Sequence, residues 1–197
     1  MSAAIGKLHG FPATFRGLKA RVVAEYAGIP IDIIENYNFD DRQTLPTGKV
    51  PALEVYKTGE FISDSNAIAF YLASIAPAKL GLLGSTPEEN AHILSLLFFA
   101  NTELNTAWMP WRRIMLGWSP NDEQVIENAK SEIRRFFGVY EAKLAGGKKY
   151  LIGDRLTVAD IVTYAELLTP FRNLLGPQWR EEFPEVTRYF VELGKIE

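Results

Sequence analysis

The stretch that decides the fold of this chain reads Gly48-Lys49-Val50-Pro51-Ala52-Leu53, and Asp64-Ser65-Asn66-Ala67-Ile68 follows it. Proline is tolerated at the start or edge of a strand, and X-Pro bonds are the usual source of cis peptides. A cis Val50-Pro51 bond would turn the Val50 N–H and C=O outward, where an extended peptide-like ligand could pair with them. Ser65, at the N-terminus of a predicted helix, would offer a hydroxyl and free N–H groups to a carboxylate. The two segments together predict a receptor for a small acidic peptide.

Short strands and helices alternate on both sides of this stretch. Apolar runs and helical spacing predict the order strand, helix, strand, then a hairpin and a further helix. The predicted segments are residues 5–9, 18–26, 31–34, 52–56, 61–63 and about 66–75. This order is typical of a thioredoxin-like α/β domain, which we assign to residues 1–77.

The second half of the chain is predicted to be entirely helical. Residues 77–86 are rich in Gly, Pro and Ser and predict a linker at residues 78–86, so the helical domain takes residues 87–197. Thr86-Pro87-Glu88-Glu89 and Thr157-Val158-Ala159-Asp160 have the pattern of capping boxes. The first of these helices is expected to run to about residue 106, and Pro110 is expected to kink or end it.

Composition narrows the classes of function. The chain has 197 residues and a net charge of −3, which disfavours a surface that binds nucleic acid. It has no cysteine, so disulfides and a thiol nucleophile are excluded, and its two isolated histidines do not predict a metal site. Neither a targeting segment nor an apolar run of membrane-spanning length is present, so we expect no membrane partner and a cytoplasmic location.

Motifs along nearly the whole chain resemble the cytosolic glutathione transferase family and, within it, the transferase-like domain of elongation factor 1-gamma. Each motif is weak alone, but their order and spacing are specific. They are Phe11-Pro12, Gly17-Leu18-Lys19-Ala20, Glu25-Tyr26-Ala27-Gly28, Asp64-Ser65-Asn66-Ala67-Ile68, Phe99-Ala100-Asn101, Glu127-Asn128-Ala129-Lys130, Arg134-Arg135 and Leu151-Ile152-Gly153-Asp154-Arg155-Leu156-Thr157-Val158-Ala159-Asp160-Ile161. The resemblance implies a thioredoxin-like domain followed by an all-helical domain.

The resemblance also implies a glutathione site. It assigns Lys49 to the glycine carboxylate, the backbone at Val50-Pro51 to the cysteinyl residue, and Asp64-Ser65 to the γ-glutamyl end. The physical chemistry agrees, because a lysine suits a carboxylate and an acid neutralises the γ-glutamyl amino group. The alternative is that Val50-Pro51 only shapes the sheet and that Ser65 only caps a helix.

The group that activates the thiol is less clearly marked. Family members place a Tyr, Ser or Cys just after the first strand, and this chain has none of them in its turn. Thr14 falls where serine-using members carry their serine, and its hydroxyl could donate to a thiolate. Arg16 could supply a positive charge instead. The alternative is that Thr14 caps the first helix.

A pocket for the second substrate is expected along the helix around residue 110. We assign Phe11, Trp111, Arg112 and Met115 to it, because aromatic and methionine side chains form adaptable apolar surfaces and an arginine could meet an anion. The alternative is that these residues pack in the core or in a dimer.

Two functions remain open. The first is a stand-alone glutathione-dependent enzyme that adds the thiol to a hydrophobic electrophile, or isomerises a polyene-like substrate by reversible addition. The second is a non-catalytic scaffold, the elongation factor 1-gamma domain of the translation elongation complex, which binds another elongation factor subunit. The end of the sequence at Glu197, without a Lys-rich linker, favours the first. The resemblance implies a homodimer in either case.

Overall fold

The computed structural model describes residues 3–34 and 38–196 of the chain. Its first half contains one four-stranded sheet in the order β2-β1-β3-β4. Strand β1 pairs with β2 in parallel and with β3 antiparallel, and β3 pairs antiparallel with β4. The strands are β1 at Gly6–His9, β2 at Asp32–Ile33, β3 at Ala52–Val55 and β4 at Glu60–Ser63.

Eight α-helices lie within the described residues. Two belong to the first half, and their order around the strands is the β-α-β and β-β-α order expected from the sequence. The other six follow residue 86, so the prediction of a thioredoxin-like domain and an all-helical domain is confirmed. The helices are α1 at Phe15–Ala27, α2 at Ser65–Ser74, α3 at Pro87–Phe98, α4 at Asn105–Met115, α5 at Glu123–Leu144, α6 at Val158–Thr169, α7 at Gln178–Glu182 and α8 at Pro184–Leu193. None of them is long and apolar enough to cross a lipid bilayer.

The strand register brings three chain segments to one edge of the sheet. His9, at the end of β1, pairs with Ala52, at the start of β3. Ala52 pairs in turn with Ser63, at the end of β4. The turn after β1, the Val50-Pro51 bond before β3 and the Asp64-Ser65 entry to α2 therefore lie side by side.

The two predicted capping boxes differ in the structure. The one at α6 is complete: the Asp160 carboxylate accepts hydrogen bonds from the Thr157 N–H and hydroxyl, both at 2.9 Å. At α3 only half of the box forms, because Thr86 Oγ1 accepts from the Glu89 N–H at 3.2 Å. The Glu89 carboxylate binds the Ser85 N–H at 2.8 Å and Arg155 at 2.5 Å instead.

The helix after residue 86 is interrupted earlier than the sequence predicts. Helix α3 ends at Phe98, a π-helical segment covers Phe99–Leu104, and α4 then continues straight through Pro110. Of the two outcomes expected at Pro110, a kink or an end, the end is therefore wrong, because Pro110 lies inside α4. The hydroxyl of Thr102, in this segment, donates to the Phe98 carbonyl one turn back at 2.9 Å, and such bonds commonly bend helices.

Candidate functional site

The turn between β1 and α1 packs directly against the Val50-Pro51 segment. A Cβ atom at Gly10 would lie 3.1 Å from Val50 Cβ and 3.3 Å from Pro51 Cα, and Gly10 has a φ of 135°. Only glycine combines this backbone conformation with such a close approach. The sequence His9-Gly10 thus brings the first turn of the chain onto the edge of the sheet where β3 begins.

The Val50-Pro51 peptide bond is cis, as the sequence predicts. Among the described residues, neither the Val50 N–H nor its C=O has a backbone hydrogen-bond partner. Both groups are therefore available to a ligand with a peptide backbone. Lys49, the preceding residue, is exposed and adds a cation at the same edge.

Asp64 adopts an unusual backbone conformation at the entry to α2. It is the one non-glycine residue with a positive φ in the described chain, at 76°, and such conformations are concentrated at functional sites. Its carboxylate caps α2 by accepting from the N–H groups of Asn66 at 2.8 Å and Ala67 at 3.2 Å, both through Oδ1. The alternative that Ser65 is the cap is therefore wrong, and the Ser65 N–H is left pointing out of the first turn of the helix.

A fully buried ion pair lies beneath this helix entry. Lys19 of α1 and Glu166 of α6 meet at 2.6 Å, and neither side chain has any exposure. The Lys19 ammonium also donates to Asn66 Oδ1 at 2.7 Å and approaches Ser65 Oγ at 3.4 Å. Ser65 Oγ accepts here, so its own proton is not used in this bond, and the Ser65 side chain is buried. The Lys19 ammonium therefore joins the start of α2 to the helical domain.

The cluster extends from Glu166 to the N-terminal turn of α1. The second Glu166 oxygen accepts from Asn105 Nδ2 at 2.9 Å, and Asn105 Oδ1 accepts from Arg16 Nη2 at 3.4 Å. Buried charges are costly unless they are paired and hydrogen-bonded, and the buried Lys19 and Glu166 each have more than one partner. The cluster fixes α1, α4 and α6 relative to one another on the inner side of the site.

Thr14 is the N-cap of α1 in the structure. Its Oγ1 accepts from the Gly17 N–H at 3.2 Å, and its hydroxyl donates to the Phe11 carbonyl at 2.8 Å. The hydroxyl proton that a thiolate would need is thus committed to Phe11 in this state. Arg16 follows in the first turn of α1, where the partial positive charge of the helix N-terminus adds to its own.

The four residues predicted to bind the second substrate have different neighbours and different exposure to solvent. Arg112 points towards Phe15 of α1, with its guanidinium carbon 5.7 Å from the ring centre. The Trp111 ring instead lies 5.4 Å from the Lys130 ammonium of α5. Phe11 and Met115 are 37% and 53% exposed. A cavity of about 590 Å³ lies between α4 and residues 119–125, and none of these four residues lines it.

Two protein-family models match the chain. The model described as "Glutathione S-transferase, N-terminal domain" matches residues 17–75, and "Glutathione S-transferase, C-terminal domain" matches residues 92–196. The chain belongs to the glutathione S-transferase family. The match covers both halves of the fold, so the family resemblance expected from the sequence motifs is confirmed.

Individual relatives agree with this membership. Elongation factor 1-gamma of Equus caballus is 32% identical over 198 residues, which cover 95% of this chain and 44% of the relative. The chain therefore spans less than half the length of this relative. Among solved structures, the glutathione transferase URE2P6 of Phanerochaete chrysosporium, in complex with oxidized glutathione, superposes with a TM-score of 0.85 at 24% identity, covering 97% of this chain and 91% of that one. The GST-like domain of elongation factor 1-gamma from Saccharomyces cerevisiae gives a TM-score of 0.81 at 20% identity, with coverages of 97% and 89%.

Sequence reasoning missed the buried part of this transferase-family site. In the sequence Lys19 is recognised only as part of the Gly17-Leu18-Lys19-Ala20 motif, and no role is predicted for Glu166 or Asn105. A signal was present, because Glu166 stands in the apolar run from Ile161 to Leu168 and a carboxylate there needs a buried partner. Lys19 stands four residues before Val23, on the apolar face of α1.

Proposed function

We propose that the chain binds glutathione at this edge of the sheet and promotes addition of its thiol to a hydrophobic electrophile. The observation that carries the proposal is the convergence at one place of the β1–α1 turn, the Asp64-Ser65 helix entry and the Val50 backbone, which has no backbone hydrogen-bond partner among residues 3–34 and 38–196. Crystals of fold relatives with bound glutathione support the choice of ligand. The same proposal includes a homodimer and a cytoplasmic location, and family membership supports both.

The donors and acceptors at the site fit glutathione from end to end. Lys49 would bind the glycine carboxylate, and the free Val50 N–H and C=O would pair with the cysteinyl residue. The Ser65 hydroxyl and N–H would bind the α-carboxylate of the γ-glutamyl end. Asp64 would hold the ammonium there with Oδ2, since its Oδ1 serves the helix. The binding of glutathione thus uses one group for each charge of the tripeptide.

Thr14 and Arg16 are proposed to favour the thiolate over the thiol. A free thiol has a pKa of about 8.5, and a nearby cation or hydrogen-bond donor lowers it. In the reaction, the thiolate sulfur bonds to the β-carbon of an enone while the C=C electron pair moves to the carbonyl oxygen, and the enolate then takes a proton from water. For isomerisation the enolate is not protonated: it rotates about the Cα–Cβ single bond, its electron pair then re-forms the C=C bond, and the thiolate leaves, which returns the glutathione thiolate and an isomerised alkene.

The pH dependence of this reaction tests the activating groups. With benzylideneacetone as the electrophile, we expect Arg16→Gln to move the rising limb of kcat/KM about one unit higher, because loss of the cation raises the thiol pKa. Thr14→Val removes the hydroxyl and keeps the shape of the side chain. It should lower kcat/KM at every pH below the plateau of the profile. Wild-type protein that gives no rate above protein-free glutathione would contradict the enzymatic proposal.

Asp64 offers a second test, because its two roles can be separated. Asp64→Asn keeps a capping oxygen and tolerates the positive φ, but it removes the charge. We expect the Kd for glutathione to rise about tenfold or more, as a hydrogen bond to a charged group is lost, and the free energy of unfolding to change by less than about 0.5 kcal/mol. Asp64→Ala should lose both binding and about 1 kcal/mol of stability. Unchanged glutathione affinity in Asp64→Asn would remove Asp64 from the site.

A scaffold of the translation elongation complex is the second candidate function. The 32% identity to elongation factor 1-gamma over nearly the whole chain favours it. In that case the chain would bind the nucleotide-exchange subunit of the complex and would not accelerate thiol addition. Co-purification with that subunit, together with no rate above protein-free glutathione, is the result that would support it.

A further inference from the structure

Two arginine side chains lie around the ring of Phe15 at the start of α1. The guanidinium carbon of Arg16 is 4.5 Å from the ring centre, and that of Arg112, from α4, is 5.7 Å away. Phe15 is buried and meets the buried Trp108 edge-on at 5.0 Å, and Arg112 also lies 6.0 Å from the Trp108 ring. The aromatic rings hold both cations by cation–π contact, which leaves the hydrogen-bonding edges of the guanidinium groups for other partners.

Neither arginine has a carboxylate partner within the described residues. Between them, the two side chains make one hydrogen bond to the described residues, from Arg16 Nη2 to Asn105 Oδ1 at 3.4 Å. Elsewhere in the helical domain four arginines form close ion pairs, such as Arg155 with Glu89 at 2.5 Å, whereas Arg113, Arg172 and Arg180 form none within the described residues. Arg16 and Arg112 therefore form a local positive charge that the protein does not neutralise.

The surroundings strengthen this positive charge. Helix α1 begins at Phe15 and has no acidic residue in its first turn, so its N-terminus adds a partial positive charge. The pKa of Arg112 lies below its usual value, first because the group is partly buried and then because Arg16 repels its charge. An arrangement of this kind costs stability in the free protein and favours binding of an anion.

We propose that Arg16 and Arg112 together bind a carboxylate on the electrophile that glutathione attacks. The second substrate is thus a hydrophobic electrophile that carries an acid group. This inference rests on the proposed function, because it places the acid group beside the β1–α1 turn where the thiol would lie. It adds a substrate class to that function, and it gives Arg112 a role in specificity.

Conjugates of glutathione provide probes that test this site by binding alone. S-benzylglutathione represents a neutral substrate. Its para- and meta-carboxy derivatives place a carboxylate at two different distances from the sulfur atom. We expect the better of the two acids to bind wild-type protein about tenfold more tightly than the neutral conjugate. Arg112→Gln should reduce that preference to about twofold or less while the Kd of S-benzylglutathione stays within about twofold. Arg113→Gln, one residue along on the exposed side of α4, is the matched control and should keep the preference.

The results distinguish failure of the carboxylate site at Arg16 and Arg112 from failure of the proposed glutathione-dependent function. If all conjugates bind equally, the function stands and the acid-binding site is wrong. If Arg112→Gln weakens S-benzylglutathione as much as the acids, Arg112 serves a carboxylate of glutathione itself, which also overturns the inference. If no conjugate binds wild-type protein, the proposed function fails and the inference fails with it.

Discussion

Replacement of Lys19 by methionine is expected to lower the free energy of unfolding by about 3–5 kcal/mol, because it leaves the buried Glu166 carboxylate without its cation. Both side chains are fully buried and meet at 2.6 Å. Methionine has nearly the length of lysine, so the loss reports the charge more than a cavity. Urea unfolding of the variant against wild-type protein measures it.

A double variant controls for the loss of packing. Lys19→Met combined with Glu166→Leu removes both charges, and apolar pairs often replace buried ion pairs with little cost. We expect the double variant to regain much of the stability lost in Lys19→Met, although Asn66 and Asn105 each lose a partner. A loss below about 1 kcal/mol in the single variant, the size found for exposed pairs, would contradict the account of this cluster.

Substitution of Gly17 by alanine is expected to have the next largest effect. A Cβ there would overlap with the Phe11 carbonyl oxygen and lie 2.9 Å from Pro12 Cα. Both are backbone atoms of the β1–α1 turn, which cannot move aside as a flexible side chain could. We expect a loss of about 1–3 kcal/mol, as for other overpacked positions, together with weaker glutathione binding because the turn borders the site.

Gly138 provides the matched control for this prediction. It is also helical, in α5, but no described atom outside its own stretch of helix lies within 4 Å of the position that its Cβ would take. Gly138→Ala should therefore raise the free energy of unfolding by about 0.5–1 kcal/mol through helix propensity. Equal effects of the two substitutions in chemical denaturation would show that the close packing of Gly17 against the turn is not important.

The order of the elements and the outline of the site could be predicted from the sequence. The apolar runs predict the strands of the sheet, and an antiparallel hairpin necessarily returns Ser63 to the side of Ala52, so the Val50-Pro51 and Asp64-Ser65 segments had to meet. These features depend on local pattern and on short connections, which a sequence records directly.

Other features depend on contacts between distant residues and could not be derived. The partner of Lys19 is Glu166, which lies in the second half of the sequence, and no local sequence pattern specifies that pair. The Thr14 hydroxyl was considered for a thiolate, whereas the bond that it makes to Phe11 depends on the path of the turn. The sequence does not predict the π-helical segment, because the bond from the Thr102 hydroxyl to the Phe98 carbonyl competes with the regular helix by a small energy that helix propensity does not resolve.

Calorimetric titration of glutathione into the wild-type protein tests the central claim most directly. We expect saturable binding with one glutathione per chain. Free glutathione at a hundredfold excess over Kd should add about 2.7 kcal/mol to the free energy of unfolding. Asp64→Asn in the same titration should bind more weakly. Absence of binding at millimolar glutathione would contradict the account and leave the scaffold as the better explanation of the fold.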